Sequence, residues 1–215
     1  MQSMSTRADR KARTRAAILR AARDRFVSQG YGGATIRDVA EAAGVGVGTV
    51  HAHFADKAGL LRACFDHQIG EAVHLGLDTL DPTTPLLDQL CHLARVLFAA
   101  YARHPALSRE MFKQSLFPEA PDPHMGPFLF ELAALFRSAR ERGEISRLPG
   151  DGMLAGHGWF SAYLISLVGG LAGTFGEPGS AGASAGQLQS FRLLMAVQLV
   201  GLGASPSLLQ PPEDP

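Results

Sequence analysis

The stretch AGVGVGTVHAHFADK, from Ala43 to Lys57, concentrates residues that could do chemistry. It holds three glycines on alternate positions, two histidines and a lysine. Glycines near a lysine can cradle phosphate, paired histidines can bind a metal ion, and a glycine turn before a short helix can belong to a DNA reader. The spacing of these residues separates the three hypotheses.

The glycine spacing argues against a nucleotide-binding loop. A dinucleotide fingerprint places G-x-G-x-x-G between a strand and a helix. The glycines here follow G-x-G-x-G after a helical pattern. The P-loop ending, Gly-Lys followed by Ser or Thr, does not occur in the sequence. We therefore expect no nucleotide cofactor.

The histidines make a weak metal set. His51 and His53 are two residues apart, and on a helix such side chains point about 200° apart. Asp56 is the one nearby carboxylate that could complete a shell. His67 and His74 share a face of a later helix, but two histidines alone bind metal weakly. We predict no metal site.

Short helices surround the glycine turn. Apolar residues spaced for one helix face predict a helix over residues 14–29, which the glycines from Gly30 end. Thr35 is a natural N-cap for a second short helix that ends at Gly44, with Ala40 at a helix crossing. A third helix over residues 47–54 completes a helix-turn-helix pattern, and Asp56 caps a fourth.

The remaining chain also has helical periodicity, and no segment alternates as a strand does. We predict an all-α fold in which an N-terminal helix-turn-helix head of three helices precedes a helical body. Helices are predicted over residues 86–103, 105–116, 127–142, 153–174 and 185–203, with a flexible link at 176–186. The predicted organisation is a flexible basic N-terminus (1–12), a helix-turn-helix domain (13–58), a helical body (59–204) and a disordered tail (205–215).

Charge is distributed unevenly along the 215 residues. Residues 1–62 hold eleven Lys and Arg against five Asp and Glu, whereas the rest holds nine against fifteen. A basic head on an acidic body indicates a polyanionic partner for the head. Cys64 and Cys91 lie in apolar helical patterns and are predicted to be buried free thiols. The start lacks the apolar core of a signal peptide, so we expect a cytoplasmic protein.

Residues 12–62 resemble the helix-turn-helix of TetR-like (tetracycline-repressor-like) transcriptional regulators of bacteria. The resemblance rests on the segment GGATIRDVAEAAGVGVGTVHAHFADKAGLL. Its shared features are Thr35, Asp38-Val39-Ala40, Ala43-Gly44-Val45, Gly48-Thr49-Val50, His53-Phe54, Lys57 and Leu60-Leu61. The resemblance implies a homodimeric, ligand-responsive DNA-binding regulator, a repressor that a small molecule releases from an inverted repeat of double-stranded DNA.

The resemblance also implies roles for individual residues. Lys57 corresponds to a position that grips a phosphate, and Thr35 to a phosphate-binding cap. Thr49 corresponds to a contact with phosphate or base, and Arg37 to a position that in some members reaches a guanine edge. His51 stands where tyrosine is usual, and Val47 where many members have a polar residue. The full set of implied DNA contacts is Thr35, Arg37, Val47, Gly48, Thr49, His51, His53 and Lys57.

The resemblance further implies that residues 13–58 are a DNA-binding domain and that the body, residues 59–204, is a ligand-binding and dimerisation domain whose effector is small and mostly apolar. The candidate pocket residues are Phe98, Tyr101, Phe112, Phe117, Phe128, Phe136, His157, Trp159, Phe160 and Tyr163. The interface candidates, which could equally be core of one chain, are Gly169, Gly170, Gly173, Leu188, Phe191, Met195, Leu199 and Leu202.

Two alternatives stay open at this point. The first is a DNA-binding dimer without a ligand, whose body only dimerises. The second is an all-helical enzyme, for which Gly156-His157-Gly158 is a weak lead. No Ser-His-Asp order and no H-E-x-x-H pattern supports an enzyme, so we predict that the chain is not one.

Overall fold

The computed structural model describes residues 7–115 and 125–209. Within these residues the chain forms α-helices and no strand, which confirms the predicted all-α class. The helices are α1 (Arg7–Gly33), α2 (Ile36–Ala42), α3 (Val47–His53), α4 (Lys57–Asp78), α5 (Leu86–Ala102), α6 (Pro105–Ser115), α7 (Met125–Glu141), α8 (Met153–Ala172) and α9 (Ala181–Gly201), followed by a short 3-10 helix, Pro206–Leu209.

Both predicted flexible ends contain more helix than expected. α1 begins at Arg7, so residues 7–12 of the predicted flexible N-terminus are helical. Their arginines, lysine and alanines are good helix formers, and Asp9 lies favourably in the first turn. Pro206–Leu209 forms the 3-10 helix within the predicted disordered tail. Residues 1–6 and 210–215 of these predictions lie outside the described residues.

The chain divides into two compact units, and the division differs from the predicted one. Among the described residues, the first unit comprises 7–68 and 106–115, and the second comprises 69–105 and 125–209. The predicted boundary between residues 58 and 59 falls inside α4. Leu60 and Leu61, after that boundary, are fully buried, because the first turns of α4 complete the core of the head.

The first unit packs α2 against α1 and α3 around a small apolar core. Ile18, Phe26, Val39 and Val50 are each no more than 1% exposed. Cys64 belongs to this core, where its thiol lies 3.6 Å from the carbonyl of Leu19. Burial raises the pKa of Cys64 to about 12, so it is a neutral, buried thiol as the sequence predicts.

The second unit is built on α8, which packs against α7 and α9, while α5 packs across α9. Trp159 on α8 is completely buried, and its indole N–H donates to the carbonyl of Leu90 at 3.2 Å. Glycines let α9 approach α8 closely. A side chain added at Gly170 would collide with the amide of Gln187, as one at Gly158 would with Gln198. The side chain of each glutamine therefore packs into the space that the absence of a side chain at the glycine leaves on α8.

The connection between α8 and α9 is shorter than the predicted flexible link. Gly173, with φ of 85°, ends α8 in the left-handed conformation, which favours glycine. Ser180 caps α9 by accepting a hydrogen bond from the backbone of Ala183 at 3.2 Å. Residues 181–186 are consequently helical, because this cap starts α9 four residues before the predicted start.

By length and composition alone, α8 is apolar enough to cross a membrane. Half of this helix is buried inside the chain, however, and a core helix of a protein without a membrane meets the same criteria. The rest of its apolar surface forms a distinct exposed stripe, described below.

Candidate functional site

α2 begins with a reciprocal capping arrangement that the sequence predicts at Thr35 and Asp38. The Thr35 hydroxyl accepts from the backbone N–H of Asp38 at 3.1 Å, and the Asp38 carboxylate accepts from the backbone N–H of Thr35 at 2.9 Å. The Thr35 hydroxyl also donates to this carboxylate at 2.7 Å. These hydrogen bonds lower the pKa of Asp38.

The cap changes what can be expected of Thr35. Both its donors, the backbone N–H and the hydroxyl, are engaged by Asp38. In this arrangement Thr35 has no free donor for a phosphate, and its structural role is to start α2. Arg37, the second residue of α2, is exposed.

The turn between α2 and α3 requires glycine at one position. Gly44 has a φ of 67°, in the left-handed region. The backbone N–H groups of Val45 and Gly44 donate to the carbonyls of Ala40 and Glu41, which closes a Schellman motif. Ala40 is buried, as its small size at a helix crossing predicts. This compact turn fixes the direction in which α3 leaves α2.

α3 buries one face and exposes the other. Val50 is fully buried, and the buried ring of Phe54 follows the helix as its C-cap residue. Val47, 41% exposed, presents an apolar side chain to solvent. Gly48, Thr49 and His51 are also exposed, and His53 is half-buried. α3 therefore carries five of the eight predicted DNA contacts on or near its outward face, and their individual roles stay predictions.

Two cations at this surface lie over aromatic rings. Lys57 Nζ, at the start of α4, is 4.4 Å from the centroid of the Tyr31 ring at the end of α1. The Arg15 guanidinium on α1 is 5.1 Å from the centroid of Phe54, after α3. Cation–π contacts of this kind restrict a long, flexible side chain to one orientation.

Tyr31 and Arg15 are not among the residues predicted from the sequence. No local signal marks either contact, because the partners are 26 and 39 residues apart. Partial burial raises the pKa of Tyr31, as do the carboxylates of Glu110 and Asp56, so the phenol is neutral beneath Lys57.

Aromatic side chains in the second unit form one buried cluster. The Tyr163 ring stacks on Phe98 at 4.9 Å and on Trp159 at 5.2 Å between centroids. Phe128 and Phe191 meet Trp159 edge-on. A cleft lined by Phe98 and Tyr101 measures about 10 Å³, so these aromatics pack on each other instead of enclosing a ligand-sized cavity.

Other pocket candidates are placed differently. His157 is exposed on the outer face of α8, with Nδ1 2.8 Å from the carbonyl of Met153, so it does not point into the core. Phe160 is half-buried, and Phe136 is fully buried core. Phe112 lies half-buried on α6, which belongs to the first unit. Phe117 lies outside the described residues.

The predicted interface stripe on α9 is core of a single chain. Phe191, Met195 and Leu199 are at most 2% exposed, and Leu188 and Leu202 are half-buried. Periodicity identified the apolar stripe, but α5 and α8 of the same chain cover it. Gly169 packs against the Phe175 ring, Gly170 holds Gln187, and Gly173 ends α8, so these glycines serve the chain's own packing.

A second apolar stripe remains exposed on the opposite side of both helices. On α8 its residues are between 36% and 69% exposed, and on α9 between 41% and 62%. Its members are Leu154, Leu164, Ile165 and Val168 on α8, and Leu193, Leu194 and Val197 on α9. We call this surface the α8/α9 apolar face. Large exposed apolar surfaces are typical of association sites.

Across residues 7–115 and 125–209, no group of three or more histidine, cysteine or acidic side chains is arranged to hold a metal ion.

Comparison with known proteins identifies the head. Residues 18–64 match the family model of bacterial regulatory proteins of the tetR family, which confirms the resemblance found in the sequence. No curated protein matches the chain significantly.

Solved structures share the fold of both units. A TetR-family transcriptional regulator from Pectobacterium atrosepticum is 22% identical, with a TM-score of 0.70 over 91% of this chain and 98% of that one. FadR from Thermus thermophilus, a repressor in complex with lauroyl-CoA, is 24% identical, with a TM-score of 0.67 over 94% and 99%. FadR from Bacillus subtilis, in complex with stearoyl-CoA, is 18% identical, with a TM-score of 0.61 over 84% and 97%. At these identities the likeness establishes a TetR-like fold.

Proposed function

We propose that this chain, which carries the DNA-binding head of the tetR family, is a cytoplasmic homodimeric regulator that represses transcription until an effector binds. The observation that carries the proposal is the outward face of α3, held by the capping box of α2 and the Gly44 turn and flanked by oriented cations. A short helix presented in this way fits the major groove of duplex DNA.

The flanking cations supply phosphate contacts on both sides of α3. Lys57 follows α3 along the chain, and Arg15 lies over Phe54, the residue that ends α3. Further basic residues line α1 from Arg7 onward. Phosphate contacts provide most of the affinity for DNA and make it depend on salt, whereas Arg37, Val47 and Thr49 are the residues we assign to base recognition.

A second copy of the chain is the occupant that we assign to the α8/α9 apolar face. One α3 reads only a few base pairs, and a two-fold dimer reads an inverted repeat with two of them. The face is apolar on two adjacent long helices, so two copies would bury it in a four-helix arrangement. This proposal replaces the predicted interface through Phe191, Met195 and Leu199.

The effector is a small, mostly apolar molecule that binds in the second unit. The aromatic cluster and the scarcity of buried charge there support this class. Two of the similar structures hold fatty acyl-CoA molecules, whose acyl chains are apolar. An effector weakens DNA binding only if it prefers one of two conformations of the dimer.

The test is selection of a binding site from a random duplex library with the purified full-length protein. We expect an inverted repeat whose affinity falls steeply with salt concentration. A protein that retains no sequence at low salt would contradict DNA recognition. Titrating hydrophobic ligands against the selected site then separates two candidates. An effector lowers DNA affinity about 5- to 150-fold, whereas bound ligands without such an effect indicate a DNA-binding dimer without regulation.

A further inference from the structure

The inner face of α8 carries two buried hydroxyl groups without hydrogen-bond partners. Tyr163 is 5% exposed and Ser166 is 1% exposed, and neither hydroxyl has a partner among the described residues. The two residues lie about one helical turn apart. Buried hydroxyls in folded proteins are nearly always satisfied, and an unsatisfied one indicates a bound molecule or water that completes it. Neither hydroxyl therefore contributes a hydrogen bond to the packing of the described residues.

A small cleft between α5, α8 and α9 begins one helical turn further along α8. Leu167 and Gly170 line it and follow Tyr163 and Ser166 by four residues each, so they share a helix face with the two hydroxyls, which are not part of the lining of the closed cleft. Phe98, on which Tyr163 stacks, forms one wall, and Leu167, the residue after Ser166, forms another. Gln187 from α9 adds a buried side-chain amide. The closed cleft measures about 10 Å³, which is near the minimum that one water molecule needs. Its lining contains no charged residue.

The connection from Gly173 to Ser180, which we call the strap, closes this cleft. Pro178 and Gly179 of the strap line it. Gly179 approaches the end of α5 so closely that an added Cβ would lie 3.2 Å from the carbonyl oxygen of Ala102 and 3.1 Å from Pro105. Gly173, Gly176 and Gly179 all have positive φ. The strap is therefore held by close packing on α5, without the continuous hydrogen bonds of a helix.

We propose that the strap opens and that the cleft binds a small uncharged molecule whose oxygen group meets the hydroxyls of Tyr163 and Ser166. Each hydroxyl both donates and accepts, so an alcohol or a carbonyl group satisfies them. An anion is disfavoured because nothing in the lining offsets its charge. The apolar part of the molecule packs against Phe98 and Leu171. The role of this molecule as the effector rests on the proposed function, whereas the existence of the binding site does not depend on it.

The single tryptophan of the chain reports directly on this site. Trp159 stacks on Tyr163 at 5.2 Å, so its fluorescence responds to a molecule that reaches the Tyr163 hydroxyl. Three probes share one ring: cyclohexanol, methylcyclohexane and cyclohexanecarboxylate. We expect cyclohexanol to change the fluorescence saturably, methylcyclohexane to bind about 2- to 10-fold more weakly, and the carboxylate not to bind. Binding of the carboxylate as tight as that of cyclohexanol would overturn the uncharged class.

Variants separate a ligand site from ordinary packing. Tyr163→Phe and Ser166→Ala should each weaken cyclohexanol binding about 2- to 10-fold. Neither variant should lower the melting temperature of the free protein, because each removes an unsatisfied hydroxyl. Ser161→Ala is the matched control, since this α8 hydroxyl is exposed and bonds to the carbonyl of His157. Unchanged cyclohexanol binding together with lower melting temperatures would mean that the hydroxyls hold one internal water only, and would overturn the site.

Gly179→Ala tests the strap. Alanine is strained at a φ of 90° and crowds Pro105, so the closed strap loses stability relative to the open one. A larger open population should tighten cyclohexanol binding severalfold. Weaker binding in this variant would show that the molecule requires the closed strap, which contradicts opening.

Duplex binding distinguishes failure of this site from failure of the proposed function. Cyclohexanol that binds through Tyr163 and Ser166 without altering DNA affinity leaves the site in place and contradicts effector control through it. Absence of any cyclohexanol signal, while other hydrophobic ligands release DNA, contradicts the site and leaves the regulator intact.

Discussion

At the scale of single residues, the predicted DNA-binding surface also depends on Tyr31, a side chain that is not itself among the predicted DNA contacts. Lys57 is the predicted phosphate contact, but its orientation is set by the Tyr31 ring 4.4 Å away. A lysine on a flexible stem loses rotamer entropy when it binds. Placing it over an aromatic face removes part of that loss before DNA arrives, because the cation is already restricted.

We expect Tyr31→Leu to weaken binding of every duplex sequence about 2- to 5-fold, in line with an exposed cation–π contact of about 0.5–1 kcal/mol. Tyr31→Phe keeps the ring and should bind as the wild type does. The slope of affinity against salt should not change in either variant, whereas Lys57→Ala should reduce it by about one. If Tyr31→Leu changes the slope as Lys57→Ala does, the ring is needed for the phosphate contact itself. Equal binding by Tyr31→Leu and the wild type would argue against positioning.

Arg37 has a different expected role, because its exposed fork lies on α2 and can reach a guanine edge bidentately. Arg37→Ala should cost about 1–3 kcal/mol on the selected site and relax base preference at one position per half-site. Binding-site selection repeated with the variant measures this. Uniform weakening of all sequences would instead assign Arg37 to the phosphate backbone.

Asp38 links the capping box to pH. Hydrogen bonds from Thr35 lower the folded pKa of Asp38 below its ordinary value of 3.8. The cap's contribution to stability is therefore complete above that value and is lost as pH falls through the folded pKa. We expect Asp38→Ala to destabilise the head at pH 7 and to flatten its stability profile between about pH 4 and pH 2. Glu41→Ala, on the same helix, is the control. If the stability of Asp38→Ala depended on pH in the acid range as that of the wild type does, Asp38 would not be the group that links the cap to pH.

At the scale of elements, helix starts depend on partners distant in sequence. α5 follows Pro85, which offers no side-chain cap. Glu144, 58 residues later, accepts from the backbone N–H of Leu86 at 2.6 Å and from Arg142 at 2.6 Å. Glu144 thereby ties the start of α5 to the end of α7.

Glu144→Ala should lower the free energy of unfolding by about 1–2 kcal/mol, because a partly buried backbone donor loses its charged acceptor. Chemical denaturation at neutral pH measures the loss. Glu141→Ala, exposed at the end of α7, serves as the control. A Glu144→Ala variant as stable as this control would show that water caps α5 equally well.

The difference between local signals and contacts made by residues far apart in the sequence explains how much of the structure the sequence could predict. Helices and their order follow from local periodicity, and the cap at Thr35 and the turn at Gly44 follow from residue type. The apolar stripe of Phe191, Met195 and Leu199 was recognised, but its partner was not, because periodicity marks a buried face without saying what buries it. Lys57 was found by resemblance and Tyr31 was missed, since their contact exists only after α1 and α4 have packed.

At the scale of the whole molecule, the neutral total charge conceals a basic head and an acidic body. The basic head favours approach to DNA, whereas the acidic remainder disfavours it. One head binds weakly, however, and joining two heads raises affinity without new contacts, by about 100- to 10,000-fold. Dimerisation is thus the largest single contribution to operator affinity that we propose.

Val197→Asp tests the α8/α9 apolar face as the dimer interface. Val197 is 62% exposed in the single chain, so aspartate is tolerated there without disturbing the core. In a dimer the same carboxylate would be buried in apolar surroundings, where a charge without a partner is strongly unfavourable. We expect a folded, helical monomer by sedimentation, with affinity for the selected DNA site lowered by about 100-fold or more.

Phe130→Asp is the matched control, since Phe130 is equally exposed, at 62%, but lies on α7, outside this face. A Val197→Asp protein that stays dimeric would assign the interface to another surface. If Phe130→Asp also becomes monomeric, the loss is not specific to the α8/α9 apolar face.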